Sequence, residues 1–144
     1  MKKQGYILQQ AMLVWLVLLA SGVGQAQSES RVIRVNIPFD FNVGVQRFSA
    51  GEYTLAPLLS NTTLLRNQKG RVLTSIATNS VESRQVSGAV KLIFNRYSER
   101  YFLSQIWEAG NEIGRELPKS SAETEVAGEY SPSDAVALNF ATRY

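Results

Sequence analysis

Residues 31–44, RVIRVNIPFDFNVG, alternate more strictly than any other stretch of the chain. Ile33, Val35, Ile37, Phe39, Phe41 and Val43 share one parity, while Arg34, Asn36, Pro38, Asp40 and Asn42 take the other. A period of two is the signature of a half-buried strand. Pro38 interrupts the polar row and has no amide to donate, so the pattern predicts an edge strand or a bulge there. Gly44 ends the run. Downstream, alternation predicts strands over 52–58, 62–66 and 71–78, joined by a Ser-Ala-Gly turn in which Gly51 takes positive φ, an LSNT turn and an NQKG loop. Asn61–Thr63 also fits the N-x-[ST] acceptor pattern and reads as an ordinary turn.

Residues 79–88 form a polar connection without a clear period. The strongest hairpin follows, 89–97 out and 100–107 back, with Ser98 and Glu99 at the tip. Val90, Leu92 and Phe94 line one face of its first arm. Tyr101, Leu103 and Trp107 share a parity on the return, and Ile93, Phe102 and Ile106 take the opposite faces. A hairpin apolar on both sides belongs at the centre of a sheet. Residues 108–117 predict a glycine-punctuated loop or short edge strand. Ser120-Ser121-Ala122-Glu123 matches a capping box, which predicts a short helix closed by Gly128, with the Glu123 side chain reaching back to the cap. The remainder, 129–144, reads as a flexible tail with one possible strand over 136–143. The sum is an all-β domain of about six or seven antiparallel strands, a sandwich or small barrel, with one C-terminal helix.

The other end carries a different signal. Lys2 and Lys3, the apolar run AMLVWLVLLA and the small residues of SGVGQA have the layout of a secretory signal peptide cleaved after Ala26. Gln9 and Gln10 interrupt the apolar stretch before it reaches the roughly 20 residues of a bilayer span. The expected organisation is therefore a signal peptide over 1–26, a loose leader over 27–31, a β-domain with its helix over 32–128, and the tail. The expected destination is the periplasm or the exterior, with no transmembrane segment after cleavage.

Export changes the charge balance. The whole chain carries a formal +3, but Lys2 and Lys3 leave with the signal, so the mature surface is close to neutral. No basic arm suits nucleic acid. The chain of 144 residues has no cysteine and no histidine, which removes disulfides, lipid attachment, Ser-His-Asp chemistry and His/Cys zinc sites. No metal site and no cofactor is expected.

VNIPFDFNVG, FSAGEYTL, SVESR, KLIFNRYSERYFLSQIW and GRELPKS, running from Val32 to Ser120, together resemble a family of small exported bacterial β-domain proteins of unassigned function. The resemblance implies a signal peptide and a compact β-domain, and brings no activity or catalytic residue.

Three surfaces compete for the apolar row of the opening strand: a domain core, the lipid around an outer-membrane barrel, or the sheet edge of a partner. The core is favoured, because the other strands are too short and too few for a spanning barrel of about eight. For chemistry, only carboxylates are available. Asp40, Glu52, Glu82, Glu99, Glu108 and Glu112 are scattered, and no spacing singles out a catalytic pair. The candidate binding set is Arg84, Arg96, Tyr97, Arg100, Tyr101 and Trp107, a cationic and aromatic group suited to a glycan or a protein. The plainer expectation pairs the arginines with Glu82 and Glu99 and puts Trp107 in the core. The reading that follows is an exported, non-catalytic binding or structural component of the cell envelope. A carrier of an apolar ligand and a carboxylate-based hydrolase acting on glycans stand as alternatives.

Overall fold

The computed structural model describes residues 31–131 and 133–140, so the expected signal peptide and nearly all of the leader lie outside the described residues. The described chain is an all-β sandwich with one helix near its C-terminus. Its strands are β1 (Ile33–Ile37), β2 (Phe41–Val43), β3 (Gln46–Phe48), β4 (Gly51–Leu59), β5 (Thr62–Asn67), β6 (Val72–Ala77), β7 (Asn79–Glu82), β8 (Val90–Tyr97), β9 (Arg100–Trp107), β10 (Ile113–Glu116) and β11 (Ser133–Phe140); helix α1 spans Ser121–Glu129. One sheet has the order β1-β4-β5-β6. The other runs β11-β8-β9-β10-β7, with β2 paired to β3 and to β9.

The opening strand answers the question its proline poses. β1 lies on the edge of the first sheet, paired only with β4, and ends at Ile37. Through Pro38, Phe39 and Asp40 the chain crosses to the second sheet, where β2 meets β9. A residue without a donor costs nothing where pairing stops. The apolar row keeps facing the space between the sheets throughout: Ile33, Val35, Ile37, Phe41 and Val43 are all buried. Gly44 turns the chain at φ +62, and Gly51 takes φ +156 at the start of β4. A second strand changes sheet at Thr78, the single residue between β6 and β7. Strands that switch sheets in this way form the corners of a sandwich.

More strands exist than the alternation suggests. The opening run splits in two at the crossover. β3, β7 and β10 are only three or four residues long, too short to show a period. Residues 79–88, expected as a polar connection, therefore begin with a strand. The strand in the C-terminal segment starts at Ser133 and pairs with β8.

A bulge in the central hairpin overturns one expectation. Ile93 pairs with Gln105 and Phe94 with Leu103, which leaves Ser104 as the extra residue of β9. Parity reverses there. Leu103 and Ile106 both join the core, while Trp107 is turned to the outer face of the sheet. It is buried there against Gly114 of β10, where an added Cβ would lie 2.6 Å from the indole ring. Trp107 Nε1 donates to Gln105 Oε1, and Gln105 Nε2 donates to Glu116 Oε1.

Helix α1 covers the outer face of the same sheet, with Val126, Ala122 and Ala127 against Tyr97 and Phe102. Ser120 caps it, its hydroxyl accepting from the Glu123 amide at 3.1 Å. The Glu123 carboxylate is occupied elsewhere than expected. Its Oε1 accepts from Asn95 Nδ2 at 2.8 Å and from the Tyr97 hydroxyl at 3.1 Å. Both partners project from the outer face of β8, so the side chain ties helix to sheet. Burial, with the Glu123 charge beside it, holds the Tyr97 hydroxyl above its usual pKa. Gly128 lies inside the helix, and Tyr130, in extended conformation, ends it.

Candidate functional site

The two ends of the sandwich are built differently. At the end near the β8–β9 turn, aromatic rings fill the space between the sheets. Phe39 stacks on Tyr101 at 4.0 Å and meets Phe94 edge-on at 5.1 Å; Phe41 touches Phe48, Tyr53 and Phe94. The Arg96 guanidinium lies over Tyr101 at 5.6 Å, and its Nε donates to the carbonyl of Ser98. Asp40 caps the β3–β4 turn, accepting from the Ala50 amide and ion-pairing with Arg47 at 3.1 Å. The Ala50 amide, with the Arg47 side chain, holds the Asp40 carboxyl below its ordinary 3.8.

The opposite end carries a shallow cleft of about 470 Å³, lined by Arg31, Pro57, Leu58, Leu59, Ser60, Glu108, Ala109, Gly110, Asn111 and Arg115. Its volume is within the range of small-ligand sites, roughly 300–1,000 Å³. One wall is the end of β4. A register shift between Pro57 and Leu59 disturbs the alternation, and Leu58 and Leu59 stand 58% and 61% exposed. The facing wall is the β9–β10 loop. Gly110, at φ +76, donates its amide to the Ser87 carbonyl, and the Ile113 amide is held by Asn111 Oδ1.

Arg115 joins the two walls. It projects from β10 and donates through Nη1 to the Leu59 carbonyl at 3.0 Å and to Thr63 Oγ1 at 3.4 Å. Its Nη2 faces Glu108 Oε1 at 4.0 Å. With its side chain 20% exposed, the guanidinium is fixed in place and still reaches the cleft. Arg31, at the start of the described chain, also lines the cleft. The site can therefore offer planar, charge-assisted donors beside two bare leucines, which suits an anionic group attached to an apolar one.

The expected binding residues do not gather here or at any other single place. Arg96 and Tyr101 are together at the aromatic end. Tyr97 is on the outer face under α1, while Arg100 is exposed beside the hairpin tip. Trp107 lies on the outer face at the far end of β9, about 20 Å from Arg100 by strand rise. Arg84 is exposed on the β7–β8 connection. The salt bridges among the described residues are Arg47–Asp40 and Arg115–Glu108, so Glu82 and Glu99 do not make the expected pairings at the tip. Of the carboxylates, Glu108 reaches the cleft, whereas Glu52 accepts from Gln68 in the β5–β6 turn. No cluster of three or more potential metal ligands occurs among the described residues. No described helix is long and apolar enough to cross a membrane.

Leu58, Leu59 and Arg115 escape sequence reasoning for a specific reason. Leu58 ends the strand expected over 52–58, Leu59 falls in the LSNT turn, and Arg115 lies in the loop or short edge strand expected over 108–117, so none stands among the cationic and aromatic candidates. Two adjacent leucines at a turn cannot both face inward, and that was the available signal. Comparison with protein-family models, with curated proteins and with solved structures found no match.

Proposed function

We propose that the chain is an exported, non-catalytic binding module of the cell envelope that takes its ligand in the cleft between Arg31 and Arg115. The observation that carries this reading is the anchoring of Arg115. A guanidinium locked to the Leu59 carbonyl and Thr63 is pre-organised, so little side-chain freedom remains to be lost on binding. Beside it, Leu58 and Leu59 are held largely exposed. The ligand this favours is a peptide ending in a carboxylate next to an apolar side chain. The carrier reading fits less well, because aromatic side chains fill the space an apolar cargo would need between the sheets.

Calorimetric titration with a short peptide ending in Leu-Ala, as free acid and as amide, tests the proposal. Binding of the free acid should weaken at least about tenfold on amidation or in Arg31→Gln, the loss expected for one charge-assisted hydrogen bond. Equal binding of acid and amide, or none of either, would refute it.

A further inference from the structure

The wall of the cleft formed by β4 is an unfinished edge. β4 pairs with β1 only over residues 51–55, whereas on its other side it pairs with β5 as far as Leu59. Residues 56–59 therefore face no strand on the β1 side among the described residues. β1 enters along that edge. Its register is regular, from Ile33 opposite Leu55 to Ile37 opposite Gly51. Continued backwards, the same register puts Arg31 opposite Pro57, Ser30 opposite Leu58 and Glu29 opposite Leu59. Arg31 does share the cleft lining with Pro57, as that register requires.

Parity and charge single out Glu29. Ile33, Val35 and Ile37 are the buried row of β1, and Arg31, on the same row, lines the cleft. Glu29 is the next member of that row. The charged residues lining the cleft are Arg31, Arg115 and Glu108, which leaves one positive charge uncompensated. Arg115 Nη1 is committed to the Leu59 carbonyl and Thr63. Its Nη2 faces Glu108 Oε1 at 4.0 Å, too long for a hydrogen bond, so it has capacity for another acceptor. Glu29 is two residues from Arg31, within about 7 Å of chain.

We propose that residues 29–32 lie along the open edge of β4 as a strap, with the Glu29 carboxylate on Arg115, where it competes with the carboxylate of an incoming peptide. The competition rests on the reading of the cleft as a binding site. Arg31 and Val32 stand outside the paired part of β1, and Pro57 contributes no donor to the edge. The strap is therefore held mainly by one ion pair open to solvent and stays displaceable.

Because the chain has no cysteine, introduced cysteine pairs can read the strap's position. Opposed residues of antiparallel neighbours lie about 4.5–5.5 Å apart between Cα atoms, within disulfide reach. Under mild oxidation Ser30→Cys with Leu58→Cys should cross-link within one chain at least about tenfold faster than Ser28→Cys with Leu58→Cys, which is out of register. Adding Glu29→Gln to the first pair should slow it at least about threefold. In the cysteine-free chain, Glu29→Gln should tighten binding of the free-acid Leu-Ala peptide at least about threefold, the gain when a site blocked about two-thirds of the time is freed. Equal cross-linking by the two pairs would overturn the proposal whether or not the peptide binds. So would cross-linking indifferent to Glu29→Gln, or a bound peptide whose affinity that change leaves alone. Selective, Glu29-dependent cross-linking in a protein that binds no peptide would uphold the strap and refute only the ligand assigned to the cleft.

Discussion

The two ends of the sandwich use similar residue types to opposite effect. At the aromatic end, Phe39, Phe41, Phe94 and Tyr101 pack on one another between the sheets. At the cleft end two leucines are turned outward, and the walls are bridged by one arginine. In the proposed reading, ligand binding falls to the second end alone. Stability and binding should therefore respond to different substitutions.

The largest separation is expected between Phe94→Ala and Leu59→Ser. Phe94 is fully buried and touches both Phe39 and Phe41, so its truncation should cost about 3–5 kcal/mol in urea unfolding. Leu59→Ser changes an exposed side chain and should stay within about 0.5 kcal/mol while weakening ligand binding. Comparable losses of stability would break the comparison. Gly114→Ala comes next, at about 1–3 kcal/mol, because a methyl group there enters the Trp107 ring. Trp15 lies in the expected signal segment, so the exported protein should report this change as a shift in Trp107 fluorescence. An unchanged spectrum and midpoint would mean that Trp107 does not pack on β10.

The smallest effect is one of pH. Asp40 has its folded pKa below the ordinary 3.8, chiefly through the Ala50 amide, so its contribution to stability is present above 3.8. It is lost as pH falls through the lowered folded value, where both states hold the proton. The stability difference between the wild type and Asp40→Asn should hold steady from neutral pH to about 4 and shrink below it. A difference that grows on acidification would contradict the assigned cap.

Much of the architecture was legible because burial follows parity. The row from Ile33 to Val43, the β8–β9 hairpin and the capped helix are each announced by their spacing. What the sequence withheld depends on single insertions. Ser104 adds one residue to β9 and moves Trp107 from the expected core to the outer face. Glu123 fits the capping box, yet its carboxylate is claimed by Asn95 and Tyr97 across 28 and 26 residues of sequence. The cleft was hidden for a related reason. Arg115 and Leu59, 56 residues apart, meet only when β10 is placed over the end of β4. The cationic and aromatic residues near the hairpin tip are adjacent in sequence, but alternation sends them to opposite faces.

The most direct test of the division between the ends is amide mapping of the ¹⁵N-labelled protein during titration with the free-acid Leu-Ala peptide. Saturable shifts confined to Leu58, Leu59, Gly110, Asn111 and Arg115, with Phe39, Arg96 and Tyr101 unmoved, are the predicted result. Shifts centred on Arg96 and Tyr101, with the cleft silent, would contradict the account and return the binding surface to the hairpin tip.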